Sequence, residues 1–258
     1  MINSCFLKFK LILKNILKYF GYRLNRHNIN IAERNNTINI NVGCGEYEID
    51  GFVSVDYYSK SYYGSKKFDR VNYDMRNDNL PYEDNTLDTI YCSHVIEHVE
   101  TEYVIKFISE SFRTLKKKGV LRLVCPDAKY LYNKLLNNPE YFSWHKLYKS
   151  KNDGVLCFVN LIAEPKTYQA NFGLNKNIFD FEYFELVEEL KSGLKFNSEK
   201  PYLHINNWDF NRINKIAKNI GFNSIDESRY QGSFCATLRG NDIDLTHPTM
   251  SMYIDLQK

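Results

Sequence analysis

Between residues 37 and 127 short apolar runs alternate with polar or amphipathic connections, and this alternation restricts the fold more than any other feature of the sequence. TININVGCGE is an apolar run that ends in a glycine turn; GFVSVDYY, a few residues on, alternates in polarity and ends in an acid. KFDRVNYDM is a weaker run, followed by a polar loop carrying the turn signal Leu80-Pro81. Residues 87–92 form a fourth run, and VLRLVCPDA, closed by Pro126, a fifth. Between these two, from about residue 97 to 117, Val104, Phe107, Ile108, Phe112 and Leu115 share one helical face, and the stretch stops at three lysines and Gly119. Strands joined by helices or long crossovers require a mostly parallel sheet covered on both faces, and ligands of such sheets lie outside the carboxyl ends of the strands. The predicted functional positions are therefore residues 43–45, Asp56, Asp74, Ser93, His94 and the Pro126-Asp127 step.

After Asp127 the rhythm breaks. Residues 129–203 are rich in Tyr, Phe and Trp, show helical periodicity only over 179–190, and are too long for a plain connection, so they read as a helical insertion or lid. The chain returns at Trp208 to a helix carrying Ile213, Ile216, Ala217 and Ile220, ended by Gly221, and then to two strands around 224–227 and 251–256. A chain of 258 residues that is 43% hydrophobic suits one main core with an insertion, spanning 35–258. Residues 1–34 stand apart: Lys8, Lys10, Lys14, Lys18, Arg23 and Arg26 occur there before any acid, and Phe6, Phe9, Leu13, Ile16, Leu17 and Phe20 recur at helical spacing. This predicts a basic amphipathic helix, either docked on the core or, through residues 5–26, lying on a membrane surface or an anionic acceptor. It is too short and too charged to span a bilayer and has no small-residue cleavage site. The overall charge of +3 lacks the strong basic excess of a general nucleic-acid binder. Cys5, Cys44, Cys92, Cys125, Cys157 and Cys235 lie far apart without a C-x-x-C pair, which suits a reducing cytoplasm.

The Gly43-Cys44-Gly45 turn lets backbone N–H groups approach a nucleotide-like ligand, or else merely ends a strand. The full dinucleotide fingerprint is missing, because Glu48 holds the place of its last glycine. Asp56, at the end of the next run, is placed to accept both hydroxyls of a ribose. His94-Val95-Ile96-Glu97-His98 reads H-x-x-E-H, and on a regular helix its two histidines would share a face and grip zinc. Here the first histidine abuts an apolar strand and no third-ligand motif follows, so no metal is predicted, and Glu97 is expected near a helix start where the dipole favours an acid.

The blocks INVGCGEYEIDGFVSVDYY, LPYEDNTLDTIYCSHVIEHV, FRTLKKKGVLRLVCPD, IAKNIGF and SMYIDLQK resemble, in this order, the class I S-adenosylmethionine-dependent methyltransferases, in particular a bacterial branch found among glycan and surface-polysaccharide biosynthesis enzymes. The resemblance covers about 37–127 and 208–258. It implies a Rossmann-like α/β fold with a seven-stranded, mostly parallel sheet, and S-adenosyl-L-methionine as cofactor. It further implies that Gly43 and Gly45, with Cys44 between them, border the methionine part, that Asp56, followed by Tyr57, binds the ribose, that Asp74 and Met75 flank the adenine, and that Ser93 and His94 sit near the sulfonium. Histidine titrates near neutral pH, so His94 is the first expected base; His98 is the second, or orients the acceptor, with packing against the sheet as its plainer role. The implied acceptor is a small anionic glycan precursor, such as a sugar, nucleotide sugar or phosphoryl-type group; if it is already acidic, His94 would bind or steer it. Asp127 is expected either to touch the acceptor or to cap the following helix, and His145, His204 and Trp208 either to pack or to help choose the acceptor. His27 and His247 carry no signal. A nicotinamide oxidoreductase or epimerase would need the third glycine and an acid farther along, whereas a non-catalytic binding module on the same fold stays open.

Overall fold

The computed structural model describes residues 37–64, 69–164 and 178–258, and residues 38–258 form one unit. The helix predicted over 1–34 lies outside the described residues. The elements in order are β1 (Asn39–Val42), β2 (Phe52–Asp56), α1 (Lys60–Tyr63), β3 (Val71–Asn72), β4 (Leu87–Ser93), α2 (Thr101–Thr114) and β5 (Leu115–Pro126). They are followed by α3 (Ala128–Asn137), α4 (Gly154–Ile162), α5 (Tyr183–Lys191), α6 (Phe210–Ile220), β6 (Ser224–Glu227) and β7 (Ser251–Gln257).

The sheet has seven strands in the order β3-β2-β1-β4-β5-β7-β6, parallel except for β7, which runs antiparallel to both neighbours. Strand β1 is buried along its whole length, as the continuous apolar run of a central parallel strand requires. Pairing sets Val42 level with both Val55 and Cys92, so Gly43, Asp56 and Ser93 emerge in one row at the carboxyl edge. Ile40, Val42, Ile90, Cys92, Leu121 and Leu123 join Val104, Phe107 and Ile108 of α2 and Ile213 and Ala217 of α6 in the main core.

Three local features differ from the sequence expectation. Residues 96–98 make only a short 3-10 turn, and α2 begins at Thr101. The same helix ends at Thr114 rather than in the lysine run, because Leu115 already pairs with Leu87 and Lys118, at φ 69°, donates its N–H to Lys258 O. A helix also forms where no periodicity is visible: the insertion holds α4 besides the expected α3 and α5, packed around Leu131, Phe142, Phe158, Leu161, Leu186 and Leu190. Helix α4, GVLCFVNLI, is apolar almost all round and so shows no stripe to read.

The insertion is clasped where it leaves and returns, with Ala128 N–H donating to Trp208 O at 2.9 Å and the Tyr183 hydroxyl to Asp209 at 2.8 Å. Asp127 caps α3 by accepting from Tyr130 N–H. At α6 the predicted stop holds, with Gly221 at φ 118°, while Asp209 caps its start. Cys44, Cys92, Cys125, Cys157 and Cys235 are free thiols, and among the described residues no helix is long and apolar enough to cross a membrane.

Candidate active site

Two strand tips and the turn between them build the first wall. Gly43 has φ +68°, and a Cβ there would come within 2.1 Å of Val95 Cγ2, so both the backbone and the packing demand glycine. The amides of this turn are already engaged: Gly43 and Cys44 donate to Val55 O at 2.8 and 3.4 Å, and Gly45 donates to Asp56 Oδ2 at 2.7 Å. The turn therefore does not present free N–H groups, contrary to expectation, because pairing with β2 continues past the strand end. What the glycines supply is a bare surface.

Asp56 is held from both sides. Its Oδ2 accepts from Gly45 N–H and, at 2.5 Å, from the Tyr63 hydroxyl; its Oδ1 accepts from Tyr57 N–H at 2.7 Å. Each carboxylate oxygen has two lone pairs, so Oδ1 keeps one for an incoming hydroxyl and the acid can grip one ribose hydroxyl rather than two. The Cys44 thiol lies beneath it, 3.9 Å from Oδ2; burial first, then the Asp56 charge, pushes the thiol up to about 11 and leaves it unreactive.

One cavity is lined by Gly43, Gly45, Asp56, Tyr57, Asp74, Met75, His94 and His98, which brings together eight residues singled out from sequence. Cys44 and Ser93 are not on its wall; they line an adjoining cavity with Tyr47, Asp242, Thr246 and His247. Gly43, Gly45 and His94 border both cavities. The Asp74 carboxylate takes four donors, from Arg76 N–H, Nε and Nη2 at 3.0, 2.9 and 2.7 Å and from Asn77 Nδ2 at 2.8 Å. Burial alone would raise its carboxyl, but the Arg76 bonds outweigh burial and hold it below the usual range. With its lone pairs used, this carboxylate has none left for an adenine amino group, and its work is to hold Arg76. That guanidinium lies 3.7 Å from the Phe196 ring centroid and 5.1 Å from that of Tyr57. Tyr63, Arg76 and Phe196 were not singled out from the sequence; Phe196 arrives from the end of the insertion, and no local pattern marks it.

The two histidines of H-x-x-E-H face different partners. His94 sits in a left-handed corner at φ 54°, with Nδ1 at 3.0 Å from Glu97 Oε1 and Nε2 at 2.9 Å from Ser251 Oγ. Its ring meets the His247 ring edgewise at 5.1 Å. Both nitrogens are thus engaged, so His94 is not a free base in this arrangement. His98 turns instead toward the insertion: Nδ1 donates to Leu203 O at 3.0 Å, and its ring stands 4.8 Å from that of His204. A backbone carbonyl can only accept, so the proton is on Nδ1. His204 does the same toward Leu161 O at 2.7 Å, and burial, then the charge of His98, brings it down to about 4, so it is neutral. Burial pushes the Glu97 carboxyl up, but the His94 hydrogen bond and the surrounding histidines outweigh it and bring it down to about 2. With no regular helix over 94–98, the peptidase-type zinc geometry does not form.

Residues 40–123 match the family described as Methyltransferase domain. The chain carries a methyltransferase domain. It is of class I and S-adenosylmethionine-dependent, and the matched stretch runs from β1 into β5, taking in both glycines, Asp56 and the His94–His98 corner. Among solved structures the chain is similar to an S-adenosylmethionine-dependent methyltransferase from Archaeoglobus fulgidus, with 12% identity, 94% of this chain and 98% of that one covered, and a TM-score of 0.45. A TehB-like methyltransferase from Corynebacterium glutamicum has 10% identity, 99% of both chains covered and a TM-score of 0.41. No curated protein matches.

Proposed function

We propose that this methyltransferase transfers its methyl group to an oxygen of a sugar, nucleotide sugar or phosphoryl-type acceptor, such as a phosphoramidate, in cytoplasmic steps of surface-glycan or capsule assembly. The observation that carries the reading is His94 standing between two cavities. Into the first, Gly43 and Gly45 offer a bare wall for the methionine part, Asp56 Oδ1 an open lone pair for a ribose hydroxyl, and Tyr57 and Met75 an apolar slot for the base. These residues fit S-adenosylmethionine, which supplies an electrophilic methyl group on a sulfonium. The second cavity, with Tyr47, Asp242, Thr246 and His247, offers the donors and acceptors that a polyhydroxylated molecule needs. The glycan setting is supported by the sequence resemblance, and the anionic character of the acceptor by the acid-free basic segment at residues 1–32.

Glu97 holds the His94 proton on Nδ1 and so directs basicity to Nε2. The Ser251 oxygen lies 2.9 Å from that nitrogen and marks where an acceptor oxygen would stand, although its own proton is donated to His247 O at 2.7 Å. An acceptor that displaces it gives up its proton to His94 as its oxygen takes the methyl group. Calorimetry and transfer of labelled methyl groups to a panel of nucleotide sugars and lipid-linked sugars test the reading. S-adenosylhomocysteine binds and NAD does not. His94→Asn lowers turnover by about 100-fold with cofactor affinity unchanged. Loss of cofactor binding in that variant would give His94 another role, and a protein that binds the cofactor product but methylates none of these compounds would overturn the acceptor class.

A further inference from the structure

We propose that Glu97, His98 and His204 form a binding site for one divalent transition-metal ion of the zinc type. One ligand atom from each of the three lies within 4.8 Å of the others. Both imidazoles donate Nδ1–H to a backbone carbonyl, His98 to Leu203 O and His204 to Leu161 O, which leaves the Nε2 lone pair of each open. Metal-binding histidines are held in this way almost without exception, since the second nitrogen's partner fixes tautomer and ring direction.

Glu97 supplies the independent observation. The residue is 1% exposed; Oε1 accepts from His94, but Oε2 is buried and has no hydrogen-bond partner. An ionised oxygen left unpaired in the interior is costly and calls for a partner, which a cation between the two imidazoles provides. The surroundings are already rigid. Glu97 O accepts from Ile205 and Asn206 N–H at 2.9 and 3.0 Å, and Ile96 O accepts from Trp208 Nε1 at 2.9 Å. The segment bearing His204 is therefore fastened to the turn bearing Glu97 and His98 before any ion arrives. Two imidazoles and a carboxylate suit zinc, iron, cobalt or manganese, whereas calcium and magnesium prefer oxygen ligands throughout. His98 also lines the cofactor cavity, which puts the ion at the edge of that cavity. No third ligand is recognisable in the sequence near the H-x-x-E-H stretch, because His204 joins it from the far side of the insertion; His94 is not part of the set.

The site stands or falls without reference to the acceptor. The experiment uses the full chain without an affinity tag, stripped with a chelator and titrated with cobalt(II) as a spectroscopic stand-in for zinc. One equivalent binds, with visible ligand-field bands that zinc displaces, and His204→Gln or Glu97→Gln weakens binding by at least about 100-fold. His145→Gln, a buried histidine outside the cluster, leaves binding unchanged. Circular dichroism checks that the variants are folded. If they are not, X-ray absorption of the zinc-loaded natural chain decides, with two imidazoles and a carboxylate expected around the ion. Absence of saturable binding at one equivalent, undiminished binding by folded His204→Gln, or an absorption spectrum without imidazole would overturn the proposal.

Discussion

The side of the cavity proposed for the cofactor is drawn mainly from residues 42–59 and 73–76, with Phe196 added from the insertion, whereas its histidine side joins the 94–98 corner to segments near 204, 247 and 251. The hydrogen bonds tell the same story. On the cofactor side, Gly45 bonds Asp56 across 11 positions, Tyr63 bonds Asp56 across 7 and Arg76 bonds Asp74 across 2. On the histidine side His94 reaches Ser251 across 157, His98 reaches Leu203 across 105, and Trp208 reaches Ile96 across 112. Short loops lose little entropy on closing, so the first side can assemble as soon as β1 and β2 pair. The second exists only once the insertion and the β7 hairpin have docked, and the two should fail separately.

The largest effect is expected where the histidine side is anchored. Arg122, fully buried, donates to both oxygens of Asp244 at 3.1 and 2.6 Å and to Asp255 at 2.7 Å, and so ties the loop before β7 to β5. Asp244→Ala strips one partner from a buried cation and should cost about 3–5 kcal/mol in urea unfolding. A smaller loss would mean that this loop is held by other contacts. Next comes Gly43→Ala on the cofactor side, with a destabilisation of about 3–4 kcal/mol from the left-handed backbone and the collision with Val95. Pairing it with Val95→Ala should recover the packing part only, and full recovery would show that the backbone term is negligible.

Acid should loosen the histidine side first. His204 is held at about 4 against the ordinary histidine value of 6.5, so between these values the unfolded chain binds a proton that the native chain does not. Its contribution is complete above pH 6.5 and is lost as pH falls toward 4, by at most about 3 kcal/mol. Glu97, at about 2, gives way at lower pH still. Unfolding followed across this range should show the slope in the natural chain and not in His204→Gln; an equal slope in both would place the acid sensitivity elsewhere. The smallest effect belongs to Tyr63→Phe, which leaves Asp56 one donor short. We expect about 1 kcal/mol, or about fivefold in affinity for S-adenosylhomocysteine by calorimetry, with the histidine side unaffected.

Local periodicity and end signals were enough to read the strand tips, the glycine turn, Asp56, the Gly221 stop and the insertion as a break in rhythm, because each depends on neighbours within a turn or a strand. They misjudged α4, whose apolar surface has no stripe, and the helix end at the lysines, where strand pairing with Leu87 overrode the composition. Asp74 was legible as a position but not as a partner: its four donors emerge only from the loop's conformation.

By itself, then, the amino-acid order determined a mostly parallel sheet with residues 43, 56, 74 and 94 along its carboxyl edge, since side-chain alternation and turn chemistry act over short range. The tertiary structure alone decided what each imidazole does. A histidine's role depends on which atom faces each ring nitrogen, and here those atoms belong to Ser251, Leu203 and Leu161, brought close only by docking of remote segments.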